Sequence, residues 1–388
     1  MRLGYKHPNL VLAMALAVVL GFGAPAQSQN WTDPPLVFGY FQNILSYYDY
    51  KGSGHDFSSF SLQQLNLMIQ KDLSPRWTAF VNMEFVNSFS TSRMIGDFNL
   101  EEAWIRYRVG QRHSLKIGLL IPEFNRMNTI KTKTPLLPYI IRPLAYESSL
   151  AEAIAVEEYI PTRAFLSFYG TLPLGNVKID HAVYVGNSPN ISTSDQPGQT
   201  GVDTSRTFLV GGRLGARLAN IQAGVSGTLD YFDYPAEVGG LIHDPNPNVR
   251  EIPRYRLGAD LRVTQGPVTL EGELIEVWYD DDLDEIVSDK DFYYGTVLVS
   301  VTEQLIVFGG YWTTSQHFLD VAQGLRGFEL INYVARMKIP TFGASYSLGD
   351  RVVLKGHFGI VKEELDAKGV RSREFDFNFY GFGTSVMF

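Results

Sequence analysis

Apolar and polar residues alternate along most of this chain. In the segment 77–85 the odd positions hold Trp, Ala, Val, Met and Phe, whereas the even positions include Thr78, Asn82 and Glu84. In the segment 255–263 the odd positions hold Tyr, Leu, Ala, Leu and Val, and the even positions include Arg256, Asp260 and Arg262. Because successive side chains of a strand point to opposite faces, this period of two predicts strands with one apolar face.

Sixteen segments either show this alternation or lie between turn-forming residues at the spacing expected of strands. We expect strands at about 36–48, 58–71, 75–89, 98–109, 113–121, 162–172, 175–187, 205–219, 221–233, 253–265, 267–280, 291–303, 304–317, 329–347, 350–363 and 374–388. The connections alternate between short turns rich in Gly, Pro, Asn and Asp, such as 110–112 and 348–350, and longer polar stretches, such as 188–204 and 234–252.

This alternation predicts an all-β fold, a transmembrane antiparallel up-and-down β-barrel of about 16 strands (18 is the alternative count). Short turns at one end and long loops at the other are typical of such barrels, and the apolar face of each strand would meet lipid. A soluble secreted β-sandwich is the alternative, but it has no reason to place its long loops at one end. Aromatic residues near the expected strand ends are candidates for interfacial girdles: Tyr47, Tyr48, Trp77, Tyr231, Phe232, Trp278, Tyr279, Tyr293, Tyr311 and Trp312.

The two termini agree with this architecture. The last expected strand places Tyr380, Phe382, Val386 and Phe388 on one parity, as expected of a strand that closes a barrel. At the other terminus, Arg2 and Lys6 precede the apolar run 10–20, and a small-residue site follows. We therefore expect residues 1–26 to be a cleaved signal peptide, with cleavage after Ser28 as the alternative, and 27–388 to be a single barrel domain.

Composition narrows the classes of function. The chain has no Cys, so it has neither a disulfide framework nor a lipid-anchoring cysteine. Its formal charge is −8, which argues against nucleic acid as a partner. No metalloprotease, phosphate-loop, nucleophile-elbow or dinucleotide motif is present, so we expect no enzymatic activity and no cofactor. The acidic run 280–285 is interpreted as a solvated loop, with divalent-cation binding as the alternative.

One long connection differs from the others. The segment 122–161 lacks strand alternation and carries Arg126, Lys131, Lys133 and Arg142 among several glutamates. A connection of this length inside a compact domain usually has a function. We expect this third loop to fold into the lumen as a charged constriction; the alternative is an exposed loop of mixed charge.

The parity of the strands places more bases than acids inside the barrel. The expected inward bases are Arg106, Arg108, Lys116, Lys178, Arg213, Arg217, Arg254, Arg256, Arg262, Arg336, Lys338 and Lys355. The expected inward acids are Glu84, Glu102, Asp180, Asp260, Glu271, Glu273 and Asp376. A basic lumen would concentrate anions. The alternatives are that these bases pair with lumenal acids, or that a one-residue slip moves them outward.

The hairpin formed by 103–107 and 115–122 resembles the corresponding hairpin of phosphate- and polyphosphate-selective porins. The sequence around Asn187, the strand opening Gly212-Arg213-Leu214 and the segment 266–273 are similar to that family as well. The resemblance implies a sixteen-stranded barrel, a homotrimer, and passage of small anions. The chain departs from the family at Ser188, and the family's arginine ladder and lysine cluster find no residue-by-residue match here.

We therefore expect an outer-membrane porin that allows passive diffusion of small hydrophilic solutes, with a modest preference for anions. Its pore-lining candidates are Arg106, Arg108, Lys116, Arg126, Lys131, Lys133, Arg142, Arg213, Arg217, Arg254, Arg256 and Arg262. Its partners would be outer-membrane lipid and lipopolysaccharide. The alternatives are a channel selective for sugars or carboxylates, a non-conducting adhesin or anchor, and a hydrolase built on His357 and Ser345.

Overall fold

The chain forms a closed barrel in which every strand is antiparallel to its neighbours. The computed structural model describes residues 34–51, 56–86, 97–147, 159–188, 207–233, 251–280, 289–324, 327–367 and 370–388. Sixteen strands pair in sequence order, and the first pairs with the last. This confirms the predicted sixteen-stranded barrel. The predicted signal segment 1–26 and most of the acidic run lie outside the described residues.

The strands are β1 (Leu36–Tyr50), β2 (Phe57–Asp72), β3 (Trp77–Val86), β4 (Asp97–Val109), β5 (His113–Leu120), β6 (Ala164–Leu174), β7 (Val177–Asn187), β8 (Phe208–Leu218), β9 (Ile221–Asp233), β10 (Glu251–Gln265), β11 (Val268–Tyr279), β12 (Lys290–Ser300), β13 (Leu305–Gly324), β14 (Gly327–Leu348), β15 (Val352–Ala367) and β16 (Val370–Met387). Short turns connect each even-numbered strand to the next odd-numbered strand, from β2–β3 to β14–β15. We call the end of the barrel where these turns lie the turn end. The remaining connections lie at the loop end. Turn glycines such as Gly110 and Gly349, with φ of 76° and 69°, adopt a left-handed conformation that most residues avoid.

The terminal strand closes the barrel as predicted. Gly39 and Phe388 exchange two backbone hydrogen bonds of 3.0 Å, and Ile44 of β1 lies opposite Gly383 of β16. The ring of Phe388 packs against Phe41 with 6.4 Å between ring centroids. Closure gives every strand two partners, so the sheet has no free edge.

The outward faces of the strands are largely apolar. Val210, Leu214, Phe342 and Phe382 are each more than half exposed on that face. Four of the girdle candidates, Tyr47, Trp278, Tyr293 and Tyr311, also point outward and are exposed. Among the described helices, none is long and apolar enough to cross a membrane.

The interior contains an apolar core, and this overturns part of the predicted face assignment. Trp312 is 1% exposed, Tyr48 contacts the inward ring of Phe379, and Tyr279 packs against the apolar core, so these three girdle candidates lie inside. On β14 the inward positions are Met337 and Ile339.

Three charged residues consequently point outward rather than into the lumen. Arg336 and Lys338 alternate with the buried residues of β14, and Lys338 Nζ lies 2.9 Å from the outward Glu364. Asp376 likewise alternates with the inward Phe377. The prediction that they line the lumen was wrong, because it assumed that the polar parity always faces inward.

Candidate functional site

The long connection between β5 and β6 folds back inside the barrel. We call its residues 122–161 the inner loop; the structure describes 122–147 and 159–161 of it. It contains helix α1 (Asn125–Ile130), followed by 3-10 turns at Lys131–Leu136 and Leu144–Tyr146. Phe124, Met127 and Tyr139 are completely buried, which confirms that the third loop enters the lumen. Gly258 of β10 makes room for it, since a Cβ there would collide with Asn125.

Two carboxylates of β11 hold one side of the inner loop. Glu273 accepts a 2.6 Å hydrogen bond from the Met127 amide and a 2.5 Å bond from the Tyr146 hydroxyl. Glu271 accepts a hydrogen bond from the Tyr139 hydroxyl and forms a 3.1 Å ion pair with Arg126. The donors thus come from the backbone, a cation and two phenols, and the carboxylates act as fixed anchors for the loop.

Strands β15, β1 and β2 hold the opposite side. Lys355 Nζ donates to the carbonyl oxygens of Thr134 and Tyr139, at 3.0 and 3.1 Å. His357 Nδ1 accepts from the amides of Ile140 and Ile141 at 3.3 Å. Because this nitrogen accepts, the buried imidazole is in its neutral form.

Glutamine side chains of β1 and β2 complete this contact. Gln42 and Gln63 both donate to the Ile140 carbonyl, at 3.2 and 3.0 Å, and Gln64 donates to the Thr132 carbonyl at 2.6 Å. The Tyr40 hydroxyl donates to the same Thr132 carbonyl at 2.7 Å. The barrel wall therefore supplies hydrogen-bond donors to the Thr132 and Ile140 carbonyls of the loop backbone.

Aromatic rings fill the space between these two sets of polar contacts. Tyr139 meets Phe308 and Trp312 edge-on, with centroids 5.0 and 6.3 Å apart. Tyr146 and Tyr159 meet Phe292 in the same way. Edge-to-face contacts are favourable between aromatic rings. The interior thus contains a hydrophobic core that is formed by the loop and by the inward faces of β11–β16.

The inner loop also buries charged groups of its own. Arg142 pairs with Glu147 at 3.4 Å and donates to the Lys131 carbonyl at 2.9 Å. Burial lowers the pKa of the Arg142 guanidinium, but the carboxylates of Glu147 and Glu84 outweigh this effect, and the net shift is upward. Burial lowers the pKa of Lys131 to about 8.

Besides its bonds to β1, β2, β11 and β15, the inner loop bonds to Ser226 of β9 and to the Ser315 carbonyl of β13. None of these bonds goes to the wall formed by β3–β8. We call the inward face of β3–β8 the basic wall. Arg108 and Lys178 are exposed there, and Arg106 and Lys116 are half-buried. Within the described residues neither Arg106 nor Lys116 forms an ion pair: Arg106 bonds to the Thr78 hydroxyl at 3.0 Å, and Lys116 lies over two aromatic rings. A lumen between this wall and the inner loop would have a net positive lining on the wall side.

The remaining predicted pore residues divide into three groups. Arg213 and Arg217 point inward but are paired with Asp260 and Asp180, each at 2.6 Å. Lys133 is exposed on the inner loop, and Arg262 is half-buried on the inward face of β10.

Arg254 and Arg256 form the third group. Both are completely buried against Asp230, at 2.6 and 3.0 Å. They face inward as predicted, but in the structure they belong to a buried ion cluster and are not exposed to a lumen. Lys131 and Arg142 are buried in the same sense. The parity of a strand gives the direction of a side chain but not what covers it.

Sequence reasoning missed the residues that hold the inner loop. Lys355 was expected to line the pore, and Tyr139, Tyr146 and His357 were given no role in the lumen. One feature of the sequence could have indicated them. Lys355 and His357 are polar residues on the inward face of β15, which is otherwise largely apolar.

A shallow apolar depression opens beside the inner loop toward the loop end. Its lining includes Tyr48, Ile141, Trp312, Phe377 and Phe379. Almost no polar atom reaches its surface. Among the described residues, no group of three His, Asp or Glu side chains could hold a metal ion.

Comparison with known proteins gives a match at the level of the fold. No protein-family model matches the chain, and no curated protein matches it. The anion-selective porin from Comamonas acidovorans superposes with a TM-score of 0.59 at 14% identity, covering 91% of this chain and 99% of that one. OprB of Pseudomonas putida gives 0.58 at 11% identity, covering 92% and 94%.

OmpT, an outer membrane protein of Vibrio cholerae, gives a TM-score of 0.54 at 10% identity, covering 92% of this chain and 100% of that one when its loop L8 is deleted. At such identities the similarity concerns architecture and not the chemistry of the lumen. Together with the closed sixteen-stranded barrel and its inner loop, these matches show that the chain has the fold of outer-membrane porins.

Proposed function

We propose that this protein is an outer-membrane channel for passive diffusion of small hydrophilic solutes, with a modest preference for anions. Residues 1–26 direct its export and are removed. Residues 27–388 form the channel, which is embedded in outer-membrane lipid and lipopolysaccharide and assembles as a homotrimer.

One observation carries this proposal. The inner loop is bonded to β9, β11, β13, β15, β1 and β2, and the basic wall opposite it presents Arg106, Arg108, Lys116 and Lys178. Solute would pass between the loop and this wall. The low-dielectric barrel around such a passage strengthens the field of the cations and raises the local concentration of anions.

The inner loop sets the size limit. Its anchoring carboxylates, Glu271 and Glu273, are engaged by Arg126, Tyr139, Tyr146 and the Met127 amide. Arg126 offsets the charge of Glu271, and both carboxylates are buried against the loop and not exposed to the passage. One structural neighbour is an anion-selective porin from Comamonas acidovorans, and the selectivity of that protein agrees with the one proposed here.

The test is conductance of the refolded protein in a planar bilayer under a KCl gradient. We expect step-like currents and a reversal potential of the sign for chloride preference, with phosphate added afterwards to compare oxyanions. A potassium-selective potential would contradict the anion preference and leave the channel intact. Absence of any conductance would contradict the channel and favour an anchor or adhesin.

A channel selective for carboxylates or sugars is the second candidate. The aromatic rings that border the cations of the basic wall favour it, because a general diffusion pore needs no aromatic surface in its lining. Hydrolytic activity finds no support: Ser345 and His357 both face inward and are buried, but His357 is engaged by Thr341 and by the loop backbone.

A further inference from the structure

We propose that the basic wall contains a binding site for a small aromatic carboxylate, with its carboxylate between Arg106 and Lys116 and its ring against Phe80 and Trp104. This inference rests on the proposed channel function and names the class of solute. The site lies on the inward face of β3–β6, away from the inner loop's anchors.

Two cations stand directly opposite each other in this site. Arg106 of β4 is the register partner of Lys116 of β5. Like charges in such a pair are destabilising unless an anion lies between them. Within the described residues neither cation has a carboxylate partner within ion-pair distance. Lys116 interacts electrostatically with Glu123 of the inner loop without forming an ion pair, and burial raises the pKa of Glu123, which favours its neutral form.

Neighbouring positions of the same row add hydroxyl groups, and the acid beyond Thr78, Asp72, accepts a 2.6 Å hydrogen bond from the Thr78 hydroxyl. Thr78 precedes Arg106, and Ser167 and Tyr184 follow Lys116 on the next two strands. Ser167 and Tyr184 are 2% and 3% exposed, and neither hydroxyl has a hydrogen-bond partner among the described residues. Beside the Asp72–Thr78 pair, the row presents two cations and two hydroxyl groups without described partners, and these groups suit an anion.

Aromatic rings border the cations on both sides along the barrel axis. Phe80 and Trp104 stack with centroids 4.8 Å apart, one row nearer the loop end. Lys116 Nζ lies 4.8 Å from the Trp104 ring and 4.9 Å from the Tyr169 ring, which is one row nearer the turn end. The Trp104 indole donates to Glu102, which fixes its orientation.

This combination distinguishes an aromatic carboxylate from other anions. Inorganic phosphate or acetate would use only Arg106 and Lys116. A solute with a ring next to its carboxylate would also cover the Phe80–Trp104 surface, which faces the lumen and is half-exposed. Stacking against such rings is favourable beyond the burial of area.

The experiment compares benzoate with acetate as blockers of KCl conductance in a planar bilayer. We expect benzoate to halve the current at a concentration about tenfold below that of acetate, the ratio that one favourable ring contact provides. Phe80→Leu should bring the two concentrations together, and Arg106→Gln should raise both. Phe85→Leu is the matched control, because the Phe85 ring is on the opposite parity of β3 and contacts Phe98 instead.

Each outcome decides between the two proposals. Equal block by benzoate and acetate in a conducting, anion-selective channel would overturn the aromatic site and leave the proposed function in place. If the protein does not conduct, calorimetric titration of the detergent-solubilised barrel with benzoate still tests the site, and absence of binding would overturn it. Heat-modifiable gel migration verifies that each variant has folded.

Discussion

Lys355 of β15 donates through Nζ to the carbonyl oxygen of Tyr139, 3.1 Å away on the inner loop. The same ammonium group donates to Thr134 and Gln42 and is 1% exposed. A cation that points into the lumen thus holds the loop and does not face the solute. All three N–H donors of the ammonium group bond to neutral oxygens, two of which are backbone carbonyl oxygens of the loop.

Replacement of Lys355 by Met should loosen the inner loop. The Tyr139 carbonyl would lose its described donor, at about 1–3 kcal/mol, whereas the Thr134 carbonyl keeps the Leu137 amide and Gln42 Oε1 keeps the Ser385 hydroxyl. We expect greater open-channel current noise and a lower temperature of heat-modifiable unfolding. Lys362→Met is the matched control, since Lys362 is an exposed outward residue of the same strand. Equal noise in the two variants would show that Lys355 does not hold the loop.

Glu273 should tolerate replacement by Gln better than by Ala. Alanine leaves the Met127 amide and the Tyr146 hydroxyl without an acceptor, at about 1–3 kcal/mol each. Glutamine can accept from the Met127 amide with its oxygen and donate to the Tyr146 oxygen with its amide group. Urea unfolding followed by tryptophan fluorescence measures the difference. Glu276→Ala, on the exposed face of the same strand, should have little effect; comparable losses for all three variants would refute the anchoring role.

The selectivity of the channel should depend on Arg106 and not on Arg254. Arg106→Gln removes a half-buried cation that has no carboxylate partner in the described part of the chain, and we expect the reversal potential to move toward potassium. Arg254→Gln removes one of the two buried cations paired with Asp230, which keeps Arg256 at 3.0 Å, so we expect a loss of stability below the value of about 3–5 kcal/mol for an isolated buried pair. Its effect on selectivity should be small. Reversal potentials and unfolding temperatures of the two variants distinguish the roles, and the opposite pattern would mean that the buried ion cluster lines the pore.

The barrel could be predicted from the sequence because the features that indicate its strands and turns are local. Alternation along the strands, the turn residues and the aromatic terminal strand each depend on short-range geometry, and all three agree with the structure. The inner loop was also predicted from its length and lack of alternation.

Face assignment failed where a distant segment changed the environment. Trp312 and Ile339 are inward because Tyr139 and its neighbours cover them, which reverses the rule that apolar residues of a membrane barrel face outward. Parity also could not separate the half-buried Arg106 from the completely buried Arg254, since both point inward. Such differences arise from contacts between residues far apart in the sequence.

Lys131 should make the stability of the protein depend on pH. Burial lowers its pKa to about 8, whereas an exposed lysine in the unfolded chain titrates near 10.4. The unfolded chain therefore binds the proton more tightly, and the cost of the buried ammonium is fully present below pH 8. Stability should rise as pH increases from about 8 to about 10, by an amount on the order of 3 kcal/mol for a shift of this size. Urea unfolding at pH 7, 8, 9 and 10 measures this slope. Lys131→Met removes the titrating group, so the variant should be more stable at pH 7 and lose that part of the slope. A slope unchanged in the variant would assign the pH dependence to other groups.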